Sequence, residues 1–185
     1  MKRKLSEICK SPLHIYPYAV LAVIVLGFAA AILIMLIGLS DYTEVAIFAA
    51  AALIVLIHLT VFVYTIINAV RLSRTRMTAY EAALYNSELK RYHLPTHLIN
   101  SIIATFGIFL SVWGIPFFLI AILISCSAVF FTGITAAVCI IKIRKQKAIT
   151  LTEAILYTTG SFILLIDYVA AGNLLYQIQR QTFGY

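Results

Sequence analysis

The sequence contains little charge. Only 11% of its 185 residues are Asp, Glu, Lys or Arg, whereas about 25% is usual for a soluble domain. Hydrophobic residues make up 63% of the chain, and the few polar residues sit in blocks between long apolar runs. This composition argues against a water-soluble protein and predicts one whose main solvent is lipid.

The sequence also lacks the motifs of common catalytic and metal sites. Its 3 cysteines form no C-x-x-C pair, and a structural disulfide is not expected. There is no G-x-S-x-G, no P-loop and no G-x-G-x-x-G. The 7 acidic residues are scattered along the chain. These absences give little support to an enzymatic function.

The apolar runs have the lengths of membrane spans. Residues 18–39, 45–70 and 98–141 carry no formal charge, and 151–175 is a weaker run interrupted by Glu153 and Asp167. One crossing needs roughly 20 residues, so the third run is long enough for two crossings, and backbone satisfaction in lipid requires helices. We therefore predict an all-α integral membrane protein with one domain over 1–185. Its five transmembrane helices are placed at about 18–39, 44–70, 97–113, 116–141 and 150–175.

Two turns join these predicted spans. Residues 40–43, "SDYT", are polar and acidic and form the first. The second is placed at 113–116, "WGIP", and residues 125–127, "SCS", are the alternative.

The basic residues indicate the orientation. With the N-terminus in the cytoplasm, Arg180 is the one basic residue of 14 that falls on the outer side, which follows the positive-inside rule. We predict a plasma or inner membrane protein, or its equivalent, with the C-terminus outside. Clusters after spans two and four are expected to contact anionic headgroups rather than nucleic acid: Arg71, Arg74, Arg76, Lys142, Arg144, Lys145 and Lys147.

A phrase that occurs twice indicates an internal repeat. "TAYEAALY" (78–85) and "TLTEAILY" (150–157) share Thr-x-x-Glu-Ala-x-Leu-Tyr, each after a basic cluster, and Pro12 with His14 matches Pro95 with His97. We predict two tandem helical hairpins, unit one over 5–85 and unit two over 87–157, as a parallel repeat followed by the fifth helix. Thr-x-x-Glu is typical of a capping box. The first copy should begin a short cytoplasmic helix at about 79–89.

Two ionisable residues lie inside predicted spans. His58 is near the middle of span two, and Asp167 is in the outer half of span five. Ionisable groups at such depth mark candidate functional sites, and a His58–Asp167 contact could carry a proton or cation. The alternatives are that His58 is a neutral imidazole bonded to a neighbouring helix and that Asp167 reaches water at the outer surface.

His14 and His97 are equivalent within the proposed repeat. Two histidines at equal depth on different helices could ligate a haem iron or another metal. The alternative is that both cap and pack the first turns of their helices. Apart from this hypothesis, the sequence indicates no cofactor.

Three functions are compatible with these features. The first is a transporter or channel component, or the membrane subunit of a larger complex, acting as a homo-oligomer or with other membrane subunits. The second is a non-catalytic membrane partner, such as an assembly, immunity or scaffold protein. The third is a haem-binding membrane electron carrier that uses His14 and His97.

Overall fold

Six helices make up the described part of the chain. The computed structural model describes residues 12–38, 42–109 and 115–184, and helices are the regular elements found there. In chain order they are α1 (Pro12–Leu36), α2 (Thr43–Arg74), α3 (Ala79–Phe109), α4 (Ile115–Lys145), α5 (Leu151–Gly160) and α6 (Ile166–Phe183). Successive helices pack as hairpins, α1 with α2, α3 with α4, and α5 with α6. The all-α class is confirmed.

The first two turns lie near their predicted positions. α1 ends at Leu36 and α2 begins at Thr43, which agrees with a turn at 40–43, although 39–41 are outside the described residues. α3 ends at Phe109 and α4 begins at Ile115. The second connection is therefore 110–114, also outside the described residues. The alternative turn at 125–127 is wrong, because α4 runs through it as helix.

The third helix is longer than predicted. The expected short helix at 79–89 and the expected span at 97–113 are one helix of 31 residues that contains Pro95. A proline inside a helix removes one backbone hydrogen bond and costs about 3 kcal/mol in isolation. Here Leu89, His93 and Thr96 are buried around it, and packing against the neighbouring helices outweighs this local cost.

Both predicted capping boxes are confirmed. The Thr78 N–H donates to Glu81 Oε2 at 2.9 Å and the Glu81 N–H to Thr78 Oγ1 at 3.2 Å. Thr150 and Glu153 make the same pair of bonds at 2.7 and 3.2 Å. The helices that follow differ, since α3 has 31 residues and α5 has 10. The repeat as a whole stays a prediction.

The last predicted span is not a continuous helix, and this prediction is wrong. α5 ends at Gly160, residues 161–165 form a turn, and α6 begins at Ile166. Two bonds show that the chain reverses there. Gln177 Nε2 of α6 donates to Glu153 Oε1 of α5 at 2.8 Å, and Tyr157 OH donates to Gln177 Oε1 at 2.9 Å. The end of α6 therefore returns to the level at which α5 begins.

Apolar packing is concentrated in two clusters. One joins α2, α3, α4, α5 and α6 near the capping boxes, with Tyr85, Ile140, Ile143, Leu174 and Ile178 among its buried members. The other joins α1, α2, α3 and α4, and its buried members are Tyr16, Val20, Val61, Leu89, Ile124, Ala128 and Phe131. Beside these clusters, α3 and α4 also bury polar side chains, among them Lys90, Asn100, Ser125 and Thr132.

Candidate functional site: a buried polar layer at the broken helix

One face of α3 buries a row of polar side chains. Its members recur every three or four positions, with one adjacent pair among them, so that they lie on one side of the helix. All are nearly or fully inaccessible to solvent. This row, called here the α3 polar stripe, consists of Asn86, Lys90, His93, Thr96, His97 and Asn100.

Lys90 is the second residue of the α3 polar stripe and forms a buried ion pair. Its Nζ donates to Asp167 Oδ2 of α6 at 2.9 Å, and the side chains of Lys90 and Asp167 are 2% and 1% exposed. The same Nζ donates to Thr132 Oγ1 of α4 at 2.9 Å and to the Ser161 carbonyl oxygen at 3.2 Å. Three oxygens from α4, α6 and the turn between α5 and α6 therefore surround one ammonium group. They are called the oxygen cage below.

The oxygen cage lies where the last helix is broken. Ser161 is the C-cap residue of α5, and Asp167 is in the first turn of α6. The C-terminal end of a helix attracts cations and the N-terminal end attracts anions. The Lys90 ammonium at one end and the Asp167 carboxylate at the other are thus each in a favourable position, and the ion pair bridges the break.

The turn that carries Ser161 is strained and closely packed. Leu165 has a φ of 71°, in a region that non-glycine residues rarely adopt. The turn rests on Gly133 of α4, where a Cβ atom would lie 2.7 Å from the Phe162 ring and 3.0 Å from the Ser161 carbonyl oxygen. Gly133 therefore permits the close approach that brings the Ser161 carbonyl to Lys90.

Several buried polar atoms of α3 and α6 have no hydrogen-bond partner in the described part of the chain. They include Asp167 Oδ1, Tyr168 OH, His97 Nδ1, Thr96 Oγ1 and Asn100 Oδ1. Such groups in native proteins are nearly always bonded to protein or to ordered water. The α3 polar stripe and its partners Thr132, Asp167 and Tyr168 are together called the polar layer. This layer has hydrogen-bonding groups that its members do not use among themselves.

His97 lies close to the ion pair. Its ring packs edge-on against Tyr168, with centroids 5.8 Å apart, and lies 6.4 Å from the ring of His93. Tyr168 follows Asp167 directly in α6. The α3–α6 contact thus gathers two imidazoles, a phenol and the Lys90–Asp167 pair in one buried region.

His58 belongs to a different contact. Tyr16 OH and His58 Nε2 are 2.8 Å apart, and His58 Nδ1 lies 2.8 Å from the Ile54 carbonyl oxygen. A neutral imidazole that donates from Nδ1 and accepts at Nε2 satisfies both bonds. The structure does not bring His58 and Asp167 together, because both ring nitrogens have other partners and Asp167 pairs with Lys90.

The structure describes the side chain of only one member of the proposed histidine pair. His97 is buried in the α3 polar stripe, whereas the side chain of His14 lies outside the described part of the structure. Within residues 12–38, 42–109 and 115–184, no group of three or more His, Cys, Asp and Glu side chains is arranged to hold a metal ion. The haem hypothesis stays an untested prediction.

The basic clusters converge at one end of the bundle. The Lys142 ammonium donates to the Thr75 carbonyl oxygen, and Gln146 Nε2 donates to the Met77 carbonyl oxygen at 2.8 Å. These bonds tie the end of α4 to the α2–α3 connection. Most of the basic side chains there are exposed, namely Arg71, Arg74, Arg76, Lys145 and Lys147.

A groove of about 650 Å³ lies beside these clusters. Arg144 and Lys147 line it together with Glu153, Gln177 and Gln181. Charges of both signs face this groove, and Glu153 is bonded to Thr150 and Gln177. The groove is therefore less selective for one charge than the oxygen cage.

The sequence prediction named Asp167 as a candidate but did not name Lys90, which it assigned to the cytoplasmic side; the structure buries both residues and pairs them. The spacing of Asn86, Lys90, His93 and His97 was the available signal, because residues repeating every three or four positions share one side of a helix, and polar side chains of a membrane helix face the protein interior. Thr132 and Ser161 carry no such signal.

Comparison with protein-family models, with curated proteins and with solved structures finds no match for this chain.

Proposed function

We propose that the chain is an integral membrane protein and a component of a membrane transporter or channel. Two helical segments in the described residues, Glu44–Arg74 and Phe118–Lys145, are long and apolar enough to cross a membrane. The most apolar stretch of Glu44–Arg74 is only 6% buried within the molecule, and Phe48, Leu56 and Phe106 are largely exposed. Apolar patches of this extent suit lipid better than water.

The observation that carries the functional proposal is the Lys90–Asp167 pair at the broken helix. Ser161 is 11 residues after the Thr150 cap and Lys90 is 12 residues after the Thr78 cap, which places both about 16–18 Å from the capped ends at 1.5 Å per residue. A hydrocarbon core is about 30 Å thick, and the pair then lies near its middle.

A buried charge pair and a non-helical turn at this depth support transport. Ionisable residues within a membrane are costly and are found mainly on substrate or ion pathways. Irregular backbone at membrane depth occurs where it is buried in protein or lines a cavity. Transporters commonly place their binding sites at interrupted helices near the midplane, where free backbone groups are available. The α5–α6 break combines these features.

Flux through reconstituted protein tests this function. Proteoliposomes containing the parent chain should pass ions or protons faster than empty liposomes, as followed with pH-sensitive dye and by bilayer conductance. Asp167→Asn keeps the shape of the side chain but removes the charge that holds Lys90. We expect it to lower flux at least about tenfold, corresponding to 1.4 kcal/mol of lost interaction.

The matched control is Glu44→Gln, which makes the same chemical change at an exposed position near the start of α2 and should leave flux unchanged. A parent chain with no flux above empty liposomes, or equal flux in both variants, would reject transport by the polar layer.

The non-catalytic partner function is supported by a different observation. The exposed apolar surface of α2 can contact other membrane subunits or a second copy of the chain as readily as lipid. Under this alternative the polar layer determines how α3, α4 and α6 pack together. Its charges are then not needed for function as long as that packing is preserved. The two functions therefore differ in the outcome of the double substitution described in the Discussion.

We further propose that the C-terminus lies on the same side as the basic clusters, and not on the opposite side as the sequence predicted. Phe183 packs edge-on against Tyr80, with ring centroids 5.2 Å apart, and Tyr80 is in the first turn of α3. The reversal at 161–165 supports this proposal, because a chain that turns back there does not make the fifth crossing on which the predicted outer C-terminus depended.

Site-directed labelling tests this orientation. In a chain whose three cysteines are replaced by serine, Gln179→Cys should react with a membrane-impermeant maleimide from the same side as Lys147→Cys. Tyr42→Cys, at the start of α2, should react from the opposite side. All three positions are exposed. Labelling of Gln179→Cys together with Tyr42→Cys would instead restore a continuous fifth span.

A further inference from the structure

We propose that the oxygen cage is a binding site for a small monovalent cation and that the Lys90 ammonium is a tethered occupant of that site. This inference rests on the proposed transport function and specifies its substrate class. It begins from the match between the three N–H donors of an ammonium group and the three oxygens at 2.9, 2.9 and 3.2 Å from Lys90 Nζ.

All three oxygens present acceptor lone pairs to the centre of the cage. The Thr132 hydroxyl proton is engaged outside it, because Oγ1 donates to the Ala128 carbonyl oxygen at 2.9 Å. The Ser161 oxygen is a backbone carbonyl at the end of α5, and Asp167 contributes a carboxylate. Oxygens of these three kinds are the ligands that hard cations select. The cage can therefore bind any cation that fits it, whether a side-chain ammonium group or a free ion.

The charge of the cage favours a monovalent ion. Asp167 is the acidic residue in it, and the surroundings are almost fully buried, so an uncompensated charge would be costly. A monovalent cation in place of the Lys90 ammonium restores the same balance, whereas a divalent ion would leave one positive charge in excess. Asp167 Oδ1 has no partner in the described residues and offers a fourth ligand atom.

Lys90 and a free cation compete for the same oxygens. Entry of a cation requires that the Lys90 ammonium leave the cage or give up its proton, so that one positive charge replaces another. Lys90 thus excludes cations from the cage in the state seen here and refills it when the cation departs. In a transporter whose site faces the two sides of the membrane in turn, the same exchange keeps Asp167 paired while the site returns without a bound cation.

The experiment replaces the tethered ammonium with a free one. Lys90→Ala should be destabilised in choline chloride and should recover in ammonium or methylammonium chloride at the same ionic strength, as measured by thermal unfolding of the purified protein in detergent. At roughly ten times the dissociation constant, the melting temperature should rise by about 3–6 °C. Potassium and sodium chloride extend the series to ions without N–H donors.

Three controls make the result specific. The double variant Lys90→Ala/Asp167→Asn should not respond to ammonium, because the carboxylate is gone. Lys142→Ala removes a lysine that bonds a backbone carbonyl at the surface and should not respond either. Lys90→Met repeats the test with the side-chain volume largely retained.

The outcomes separate this inference from the transport proposal. Ammonium rescue without flux in the parent chain would support the cation site and reject transport. Equal melting temperatures in ammonium and choline would overturn the cation site even if flux is present. Failure of both Lys90 variants to fold in every salt would also overturn it, because a site that accepts a free cation should be restored by one in excess.

Discussion

Replacing Asp167 with leucine should lower the free energy of unfolding by about 3–5 kcal/mol, because it leaves the Lys90 ammonium buried without its counter-charge. Thr132 and the Ser161 carbonyl remain, but neutral acceptors do not compensate a full charge in a buried site. The double variant Lys90→Met/Asp167→Leu should recover most of this loss, since buried ion pairs are often replaced by apolar residues of similar size without net cost. Thermal and denaturant unfolding in detergent measure the stability of Asp167→Leu, of Lys90→Met and of the double variant.

The double variant also decides between the two functions. If the pair only determines assembly, restored stability should be accompanied by restored function of the complex. If the pair is the cation site, the double variant should be stable and inactive in flux. Additive losses in the two single variants and the double variant would contradict a direct Lys90–Asp167 interaction, because coupled residues deviate from additivity.

Replacing glycine with alanine should lower the free energy of unfolding at Gly133 but not at Gly172. Gly133→Ala places a Cβ atom 3.0 Å from the Ser161 carbonyl oxygen, and a backbone atom cannot move aside as a flexible side chain does. We expect a loss of about 1–3 kcal/mol, together with weaker ammonium rescue in the Lys90→Ala background, because the Ser161 carbonyl is displaced from the cage.

Gly172→Ala is the matched control. A Cβ atom at Gly172 in α6 has no neighbour within 4 Å, and alanine is preferred over glycine within helices by about 0.5–1 kcal/mol. Unfolding measurements should therefore show this variant to be as stable as the parent or more stable. Equal effects at both positions would show that the turn does not depend on close packing against α4.

Local sequence signals predicted the parts of the fold that depend on neighbouring residues. Thr78 and Thr150 cap their helices as expected, because a capping box involves only four consecutive positions. The break after Gly160 was not predicted, since Gly and Ser are tolerated inside apolar helices and leucine gives no local signal for the positive φ that Leu165 adopts. A run of apolar residues indicates burial or lipid, but not whether the chain continues or reverses.

The candidate site was predicted only in part for a related reason. Lys90 was judged by its position near other basic residues, which suited a surface role, whereas its partners Asp167 and Thr132 are 77 and 42 positions away. His58 was the more conspicuous candidate, in the middle of an apolar run. Its two bonds, to Tyr16 and to Ile54, show that a neutral histidine can be accommodated there by one hydroxyl and one carbonyl.

If the chain is inserted in a bilayer as proposed, the ion pair also constrains how it is assembled there. The α5–α6 hairpin carries a carboxylate and an irregular turn at its tip, and its helices are about 15 and 27 Å long at helical rise. Lipid alone can satisfy neither the charge nor the turn. Lys90 is synthesised earlier and provides the partner for both. In that setting we expect α3 to pack beside α4 first and the final hairpin to dock onto protein already in place.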